Sequence, residues 1–419
     1  MKDNMEEKFV RTRNKSTKKQ IIFMIIFIII FLLMLVEVIR FAGYTLGKYG
    51  RENMWLYNSV DSLVQKIYTR KPSLQTEENK VTIAALGNIY LTPNMIKGAK
   101  ETDGYNFTAG LENVQTKLKE YDFVLANLST PVAGSSVGYS TTKTFNAPDE
   151  IVTTLKDLNI SAVATATYHI YDKKDDGISA TIQKLNDASI LQTGISNENR
   201  SEPIVLTKNN INIGILSYAT KSNVKLSTDS NALNVFSEEN VINDVAFLKE
   251  KNVDIIIAYL DVYDEDTIMT SSEHKNNVDI LLDNGVNVVL GGGVAVVQDD
   301  YEDQIELKDA TKSHVYTVYS LGDFMGGYTS DYAQATIIPT FEITKSVTTN
   351  RKGEVKQVLF DFKANDPIYT WTSIDKKYNK TMYLMEEEIA NFNNDTSNLT
   401  AKEYNSMKEE YLRILEMYE

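Results

Sequence analysis

The sequence predicts an α/β domain, a layered arrangement of sheets buried between helices, preceded by one membrane-spanning helix. Three observations carry this. An uncharged apolar run lies close to the N-terminus. From Val81 to about Phe362, apolar segments of strand length alternate with amphipathic segments of helical length. Several of the strand segments are continuously apolar, as expected where both faces of a sheet are covered.

The membrane segment comes first. Ile21 to Val36 carries no charged or polar side chain, and Val38, Ile39 and Phe41 extend it past Glu37 and Arg40. That approaches the ~20 residues a bilayer span needs. Lys2, Lys8, Arg11, Arg13, Lys15, Lys18 and Lys19 precede the run, whereas Arg40, Lys48 and Arg51 follow it closely. The excess of positive charge predicts a cytoplasmic tail (1–20), an uncleaved signal-anchor helix (21–41) and a main domain outside the cell. A cleaved signal peptide is the competing reading, but no Ala-x-Ala site follows the run. Residues 42–80 read as a stalk, with Met54, Leu56, Val60, Leu63, Val64 and Ile67 on a helical stripe that ends at Lys71-Pro72.

The body of the chain is then assigned by periodicity. Val81 to Gly87 is a buried strand feeding a loop. Phe107–Leu118 reads as helix, Phe123–Asn127 as strand, Ile151–Leu158 as helix, Ala162–Ala166 as strand and Ile178–Ala188 as helix. Pro203–Thr207 and Ile211–Tyr218 flank Lys208-Asn209-Asn210 and read as a hairpin, because asparagine tolerates left-handed backbone. Val241–Glu250 and Val278–Asn284 read as helices. Val253–Leu260, Val286–Leu290, Val315–Ser320, Ala335–Ile343 and Val355–Phe362 read as strands. The expected domain runs from 81 to 365. A helical extension (366–419) follows, with a Thr400-x-x-Glu403 capping box and Tyr404, Met407, Tyr411, Ile414 and Tyr418 at helical spacing.

Composition removes several functions. The 419 residues are 42% hydrophobic and 24% charged, a globular balance, and contain no cysteine. Disulfide frameworks, thiol chemistry and Cys-ligated zinc are therefore excluded. With 57 acidic against 43 basic residues and a net charge of -14, the chain repels phosphate backbones, and no basic patch lies outside the N-terminus. Nucleic acid is not expected as a partner. Gly291-Gly292-Gly293 lacks the lysine and Ser/Thr of a P-loop, and Ser217 and Ser320 lack a G-x-S-x-G setting. His274 and His314 fall at a helix start and a strand start. Asp264-Glu265-Asp266 and Asp299-Asp300 read as solvated loop faces.

Six loop motifs remain, each after a predicted strand. Gly87-Asn88-Ile89-Tyr90-Leu91 resembles G-D-x-M-L, and Ala126-Asn127-Leu128-Ser129-Thr130-Pro131 resembles A-N-L-E-x-P. Ala166-Thr167-Tyr168-His169 with Asp172 and Gly177 resembles A-N-N-H-x-x-D-x-G. Ala258-Tyr259-Leu260-Asp261 stands where an H-W-G occurs, Val288 to Gln298 resembles V-V-I-G-x-H-P-H-x-x-Q, and Tyr319 to Phe324 resembles Y-S-L-G-N-F. Order and content together, over residues 81 to 345, resemble the CapA family of poly-γ-glutamate capsule-synthesis proteins.

The resemblance implies a metallophosphatase-like layered α/β sandwich with a pair of divalent metals held by Asp, Asn, His and Glu side chains from these loops. This chain departs from that ligand set at most positions. The family's Asp is Asn88, its Glu is Ser129, its liganding Asn is Thr167 or Tyr168, its H-W-G histidine is Asp261, and its H-P-H histidines are Gly293 and Ala295. His169 is retained. A two-metal clamp needs many anionic or imidazole donors at once, so no metal cofactor is expected. His169 and Asp261 are the remaining metal candidates, with Asp172 and Asp323 as possible oxygen donors to a hard divalent cation.

The expected function is a membrane-anchored, non-catalytic CapA-like protein. It would serve synthesis, assembly or export of an anionic surface polymer such as poly-γ-glutamate, alongside other membrane subunits. A metal-dependent hydrolase or transferase with a remodelled site around His169, Asp172, Asp261 and Asp323 is the enzymatic alternative. A structural cell-envelope scaffold is the third.

Overall fold

The computed structural model of the chain describes residues 22–41, 62, 74–227, 231–263, 267–307, 312–327 and 332–418. It divides into two compact units, residues 1–75 with 348–356 and residues 76–347 with 357–419. In the first, helix α1 (Ile22–Phe41) has 20 residues, and none in its apolar stretch is buried in protein. Phe23 is 72% and Leu33 61% exposed. At ~1.5 Å per residue the helix matches a hydrocarbon layer about 30 Å thick. The expected tail (1–20) and the stalk stripe from Met54 to Ile67 lie outside the described residues, as does Asp264-Glu265-Asp266.

The second unit follows the predicted alternation. Along the chain come β1 (Leu74–Ile89), α2 (Pro93–Gly98), β2 (Lys100–Glu101), β3 (Gly104–Tyr105), α3 (Glu112–Leu118) and β4 (Phe123–Leu128). Next are α4 (Glu150–Asp157), β5 (Ile160–Ala164), α5 (Lys174–Asp187), β6 (Leu191–Thr193), β7 (Ile204–Lys208) and β8 (Ile211–Ala219). The second half holds α6 (Glu238–Glu250), β9 (Ile255–Asp261), α7 (Ser272–Asp283), β10 (Val288–Gly292), β11 (Asp300–Glu306) and β12 (Lys312–Val318). It closes with β13 (Ala335–Asn350), β14 (Val355–Ile374), β15 (Lys380–Leu384), α8 (Met385–Asn393) and α9 (Ala401–Met417).

These strands form a seven-stranded sheet, β15-β14-β13-β1-β4-β5-β6, and a six-stranded sheet, β11-β12-β10-β9-β8-β7. In the first, β1, β4, β5 and β6 are parallel. In the second, β8, β9, β10 and β12 are parallel, with β7 and β11 antiparallel at the edges.

Side-chain parity explains the layering, because successive residues of a strand point to opposite faces. Ile83 and Ala85 of β1 join Ile213, Ile257 and Leu290 of the other sheet in one core. Their neighbours Ala84 and Leu86 turn outward to pack with Val114, Leu118, Ile151 and Leu155 of α3 and α4. Likewise Ile256, Ala258 and Leu260 of β9 face away from the centre, under Val245, Leu248, Val278 and Leu281 of α6 and α7. The result is the expected layered sandwich, helices over sheet over sheet over helices.

Local chemistry agrees at the turns. Asn209 and Asn210 adopt φ of 50° and 61° between β7 and β8, as the hairpin requires. Thr400 and Glu403 complete the capping box of α9. The helix expected over Phe107–Leu118 is shorter, because Asn106 caps the backbone N–H groups of Thr108 and Ala109 in a turn before Glu112.

The C-terminal helical extension packs against the sheets. Residue 365 lies inside β14, and α9 packs into the central core through Tyr404, Met407 and Ile414. The alternation that marks the strand in sequence fades after Phe362, so its continuation to Ile374 is set by pairing with β15. Residues 366–419 therefore belong to the domain. Trp371 Nε1 donates to Glu410 Oε1 at 3.2 Å, and Tyr418 OH donates to the Gln298 carbonyl at 3.3 Å.

Glu410 makes this docking pH-sensitive. Burial pushes its carboxyl from 4.5 up to about 7, against the opposing pull of Trp371 and Arg413. Between these values the unfolded chain releases a proton that the folded chain retains, so stability falls as pH rises through that window. Glu410→Gln keeps the acceptor for Trp371 and abolishes the titration. Thermal unfolding of the full chain is expected to show the variant more stable than wild type above pH 7, by on the order of 2 kcal/mol, and indistinguishable at pH 4.

Candidate functional site

The parallel strands of both sheets bring their C-terminal ends to one edge, where loops of α/β domains build their sites. β1 ends at Asn88 and Ile89, β4 at Asn127 and Leu128, β9 at Asp261 and β10 at Gly292. Asn88 pairs in register with Asn127, and Gly292 with Asp261. These four positions, with Asp323 after β12, form a buried polar network.

Its hydrogen-bond directions follow from the backbone. The Gly293 N–H donates to Asn88 Oδ1 at 3.1 Å, and Asn88 Nδ2 donates to the Val294 carbonyl at 3.1 Å. A backbone donor on one side and a backbone acceptor on the other allow a single orientation of the amide. Asn88 Nδ2 also donates to Asp323 Oδ1 at 2.8 Å. The atom of Asn127 facing Asn88 Oδ1 must then be Nδ2, at 2.9 Å, and it also donates to Asp261 Oδ2 at 3.2 Å. Asp261 Oδ1 accepts from the Tyr168 N–H at 3.0 Å. Burial pushes the Asp261 carboxyl up to about 6, while Tyr168, Asn127 and the nearby His169 hold it down.

Glycine makes room for this network. A Cβ on Gly292 would stand 2.2 Å from Asn127 Nδ2 and 2.9 Å from Asn88 Oδ1. Gly293 has φ of 86°, and a Cβ there would meet the Val262 carbonyl at 2.6 Å. Ala295 is buried and its carbonyl accepts from the Asp323 N–H at 3.3 Å.

His169 sits beside the network rather than in it. Its Nδ1 lies 2.8 Å from Asp172 Oδ2, and its Nε2 lies 3.1 Å from the Tyr90 hydroxyl. Asp172 is further fixed by the Phe145 N–H at 2.7 Å and by Asn223 Nδ2 at 2.7 Å. Ser129 and Thr167 are buried at the same edge but bond locally: the Ser129 N–H donates to Ile89 O at 3.0 Å and Thr167 Oγ1 to Leu128 O at 3.4 Å. The structure thus brings Asn88, Tyr168, Asp261, Gly293 and Asp323 into direct contact, and Ala295 through its backbone. His169 lines an adjoining cavity, with Asp172 bonded behind it.

Three participants were not singled out from sequence. Asn127 and Tyr90 lay within recognised motifs, and their role was legible there. Lys380 on β15 had no signal, being remote from every motif. Its ammonium is 3.5 Å from the point a Cβ on Gly327 would occupy, and Gly327 has φ of 82°. Burial lowers its pKa to about 7, opposed by the charge of Asp323. The pull of Asp323 on its pKa places Lys380 on the Asp323 side of the network.

The donor set does not fit a metal pair. Among the described residues no three His, Cys, Asp or Glu side chains form a metal-binding group. Both faces of the Asn88 amide are engaged by protein, and the Asn127 N–H groups point into the space between Asn88 and Asp261. A cation there would have to displace the Asn127 amide hydrogens from Asn88 Oδ1 and Asp261 Oδ2.

Residues 82–328 match the family model described as bacterial capsule synthesis protein PGA_cap, close to the span that carries the motifs. No curated protein matches the chain. Among solved structures it is similar to Haemophilus influenzae NAD nucleotidase (NadN), at 10% identity and a TM-score of 0.37 over 81% of this chain and 61% of that one. It is also similar to TT1561 of Thermus thermophilus, at 10% identity and a TM-score of 0.30 over 62% of this chain and 93% of the other.

Two substitutions test the network. Asn88→Asp places a carboxylate oxygen against Asp323 Oδ1 and Val294 O in place of a donor. It is expected to cost roughly 2–4 kcal/mol in chemical denaturation, with no recovery on adding manganese. Gly292→Ala forces Asn127 aside and is expected to cost about 1–3 kcal/mol; a neutral effect of both would contradict the geometry.

Proposed function

The chain belongs to the bacterial capsule synthesis protein (PGA_cap) family, and on that premise we propose that it is a membrane-anchored assembly subunit that performs no metal-dependent chemistry. It serves synthesis, assembly or export of an anionic cell-surface polymer of the poly-γ-glutamate class. The apolar helix Ile22–Phe41 supports the anchor. The basic residues before it support a cytoplasmic N-terminus and an external domain. The observation that carries the non-catalytic part is the Asn88 amide, whose hydrogens point at Asp323 and Val294 where a metallophosphatase-like site needs an anionic donor.

A second reading has one specific support. Asp172, His169 and Tyr90 form a continuous hydrogen-bonded chain ending at a cavity wall, an arrangement able to move a proton without a metal. In that reading His169 acts as base and the Tyr90 hydroxyl faces the substrate. A purely structural envelope scaffold would need neither group.

Elemental analysis and complementation separate these. The purified full chain is expected to hold less than about one manganese, iron or zinc ion per ten molecules, and to lack metal-stimulated phosphoesterase activity. One or two ions per chain, lost with activity in His169→Ala, would overturn the metal-free assembly role, whereas the metal-free second reading requires that His169→Ala fail in complementation. In cells lacking the chain, wild type and His169→Ala are both expected to restore surface polymer, while a form without residues 1–41 is not. Topology is checked separately. An alkaline-phosphatase fusion at Glu419 should be active and a cytoplasmic reporter silent.

A further inference from the structure

Beside the polar network lies a cavity of about 670 Å³, within the range of small-ligand sites. Its lining is unlike that of a polyanion groove. Tyr90, Phe145, Tyr168, His169 and Tyr263 supply ring surface, and Lys143 is the one lysine or arginine among the described residues of the lining. A chain of net charge -14 with a single lysine there gives little attraction for successive carboxylates.

The rings are ordered as a platform. Tyr168 and Tyr263 stack with centroids 3.7 Å apart and planes 11° from parallel. Tyr263 is nonetheless 45% exposed and lines the cavity. Tyr90, Phe145 and His169 form a second group with centroid separations of 4.4 to 5.2 Å. Asn94, Thr142 and Lys143 line the same cavity and bring hydrogen-bonding side chains to it.

That combination fits a hydroxylated ring. Aromatic faces are electron-rich. The axial C–H face of a pyranose is apolar and weakly electropositive, while its hydroxyls project sideways towards hydrogen-bonding groups. We propose that this cavity seats one or two pyranose rings of a glycan, with Tyr263 as the stacking platform and Asn94 and Thr142 reading the hydroxyls. The inference rests on the capsule reading for the source of that glycan, a sugar unit of the surface polymer or of the acceptor to which it is attached. The site itself stands on the rings.

The test uses the full chain in lipid nanodiscs. Cellotetraose, chitotetraose, tetra-γ-glutamate and AMP are compared by saturation-transfer NMR and calorimetry. At least one tetrasaccharide is expected to bind, with transfer strongest at ring C–H protons. Tyr263→Ala is expected to weaken binding by about tenfold or more, at unchanged melting temperature, and Tyr263→Trp to preserve it. The proposal is overturned if neither saccharide binds, if Tyr263→Ala leaves affinity intact, or if tetra-γ-glutamate or AMP binds in preference. Polymer restoration in cells is a separate readout, so loss of glycan binding with normal complementation sinks this inference and leaves the assembly role standing.

Discussion

One carboxamide ties the two sheets together at their functional edge. Asn88 ends a strand of the seven-stranded sheet, yet both of its backbone partners, Gly293 N–H and Val294 O, follow the last strand residue of β10 in the other sheet. Its remaining bonds reach Asn127 and Asp323. An amide does this because it offers donor and acceptor from one planar group. A carboxylate offers acceptors alone, and would leave Val294 O and Asp323 Oδ1 facing negative charge in a buried place. Such groups are costly to leave unpaired. The edge therefore closes on itself by hydrogen bonds.

The rest of the site adjusts to that choice. With amides at Asn88 and Asn127, the carboxylates of Asp261 and Asp323 need other sources of stabilisation. Asp261 finds them in the Tyr168 N–H, Asn127 and the nearby His169, though burial still raises its pKa. Asp323 has Asn88 and the charge of Lys380, drawn from a strand that the family match at 82–328 does not reach. Glycines at 292 and 293 complete the arrangement, because any side chain at 292 would occupy the space held by Asn127. Each change alone would be destabilising; together they are mutually consistent.

The polar edge is closed by its own hydrogen bonds, and the neighbouring cavity is where the proposed glycan site lies. Its wall contains Tyr90 and His169, which continue the chain from Asp172, and its floor is aromatic. The position follows from topology, since the loops after β1, β5 and β9 supply Tyr90, Tyr168 with His169, and Tyr263.

The sequence by itself determined the apolar N-terminal helix, the layered α/β class, most of the parallel strands and the loops at their ends, because these follow from local periodicity and from motifs at strand ends. It also determined that positions 293 and 295 carry no side-chain donor, since glycine and alanine have none wherever they lie. Only the tertiary structure decided what took their place. The direction of the Asn88 amide depends on backbone atoms 205 and 206 residues away. Lys380 reaches the site from a strand that no motif marks, and residues 366–374 join the sheet through pairing with β15. The stacking of Tyr168 on Tyr263 brings together residues from two loops on different sheets. Such contacts are long-range and leave no periodic trace in the chain, so their residues look like ordinary polar and aromatic positions until the two sheets are packed.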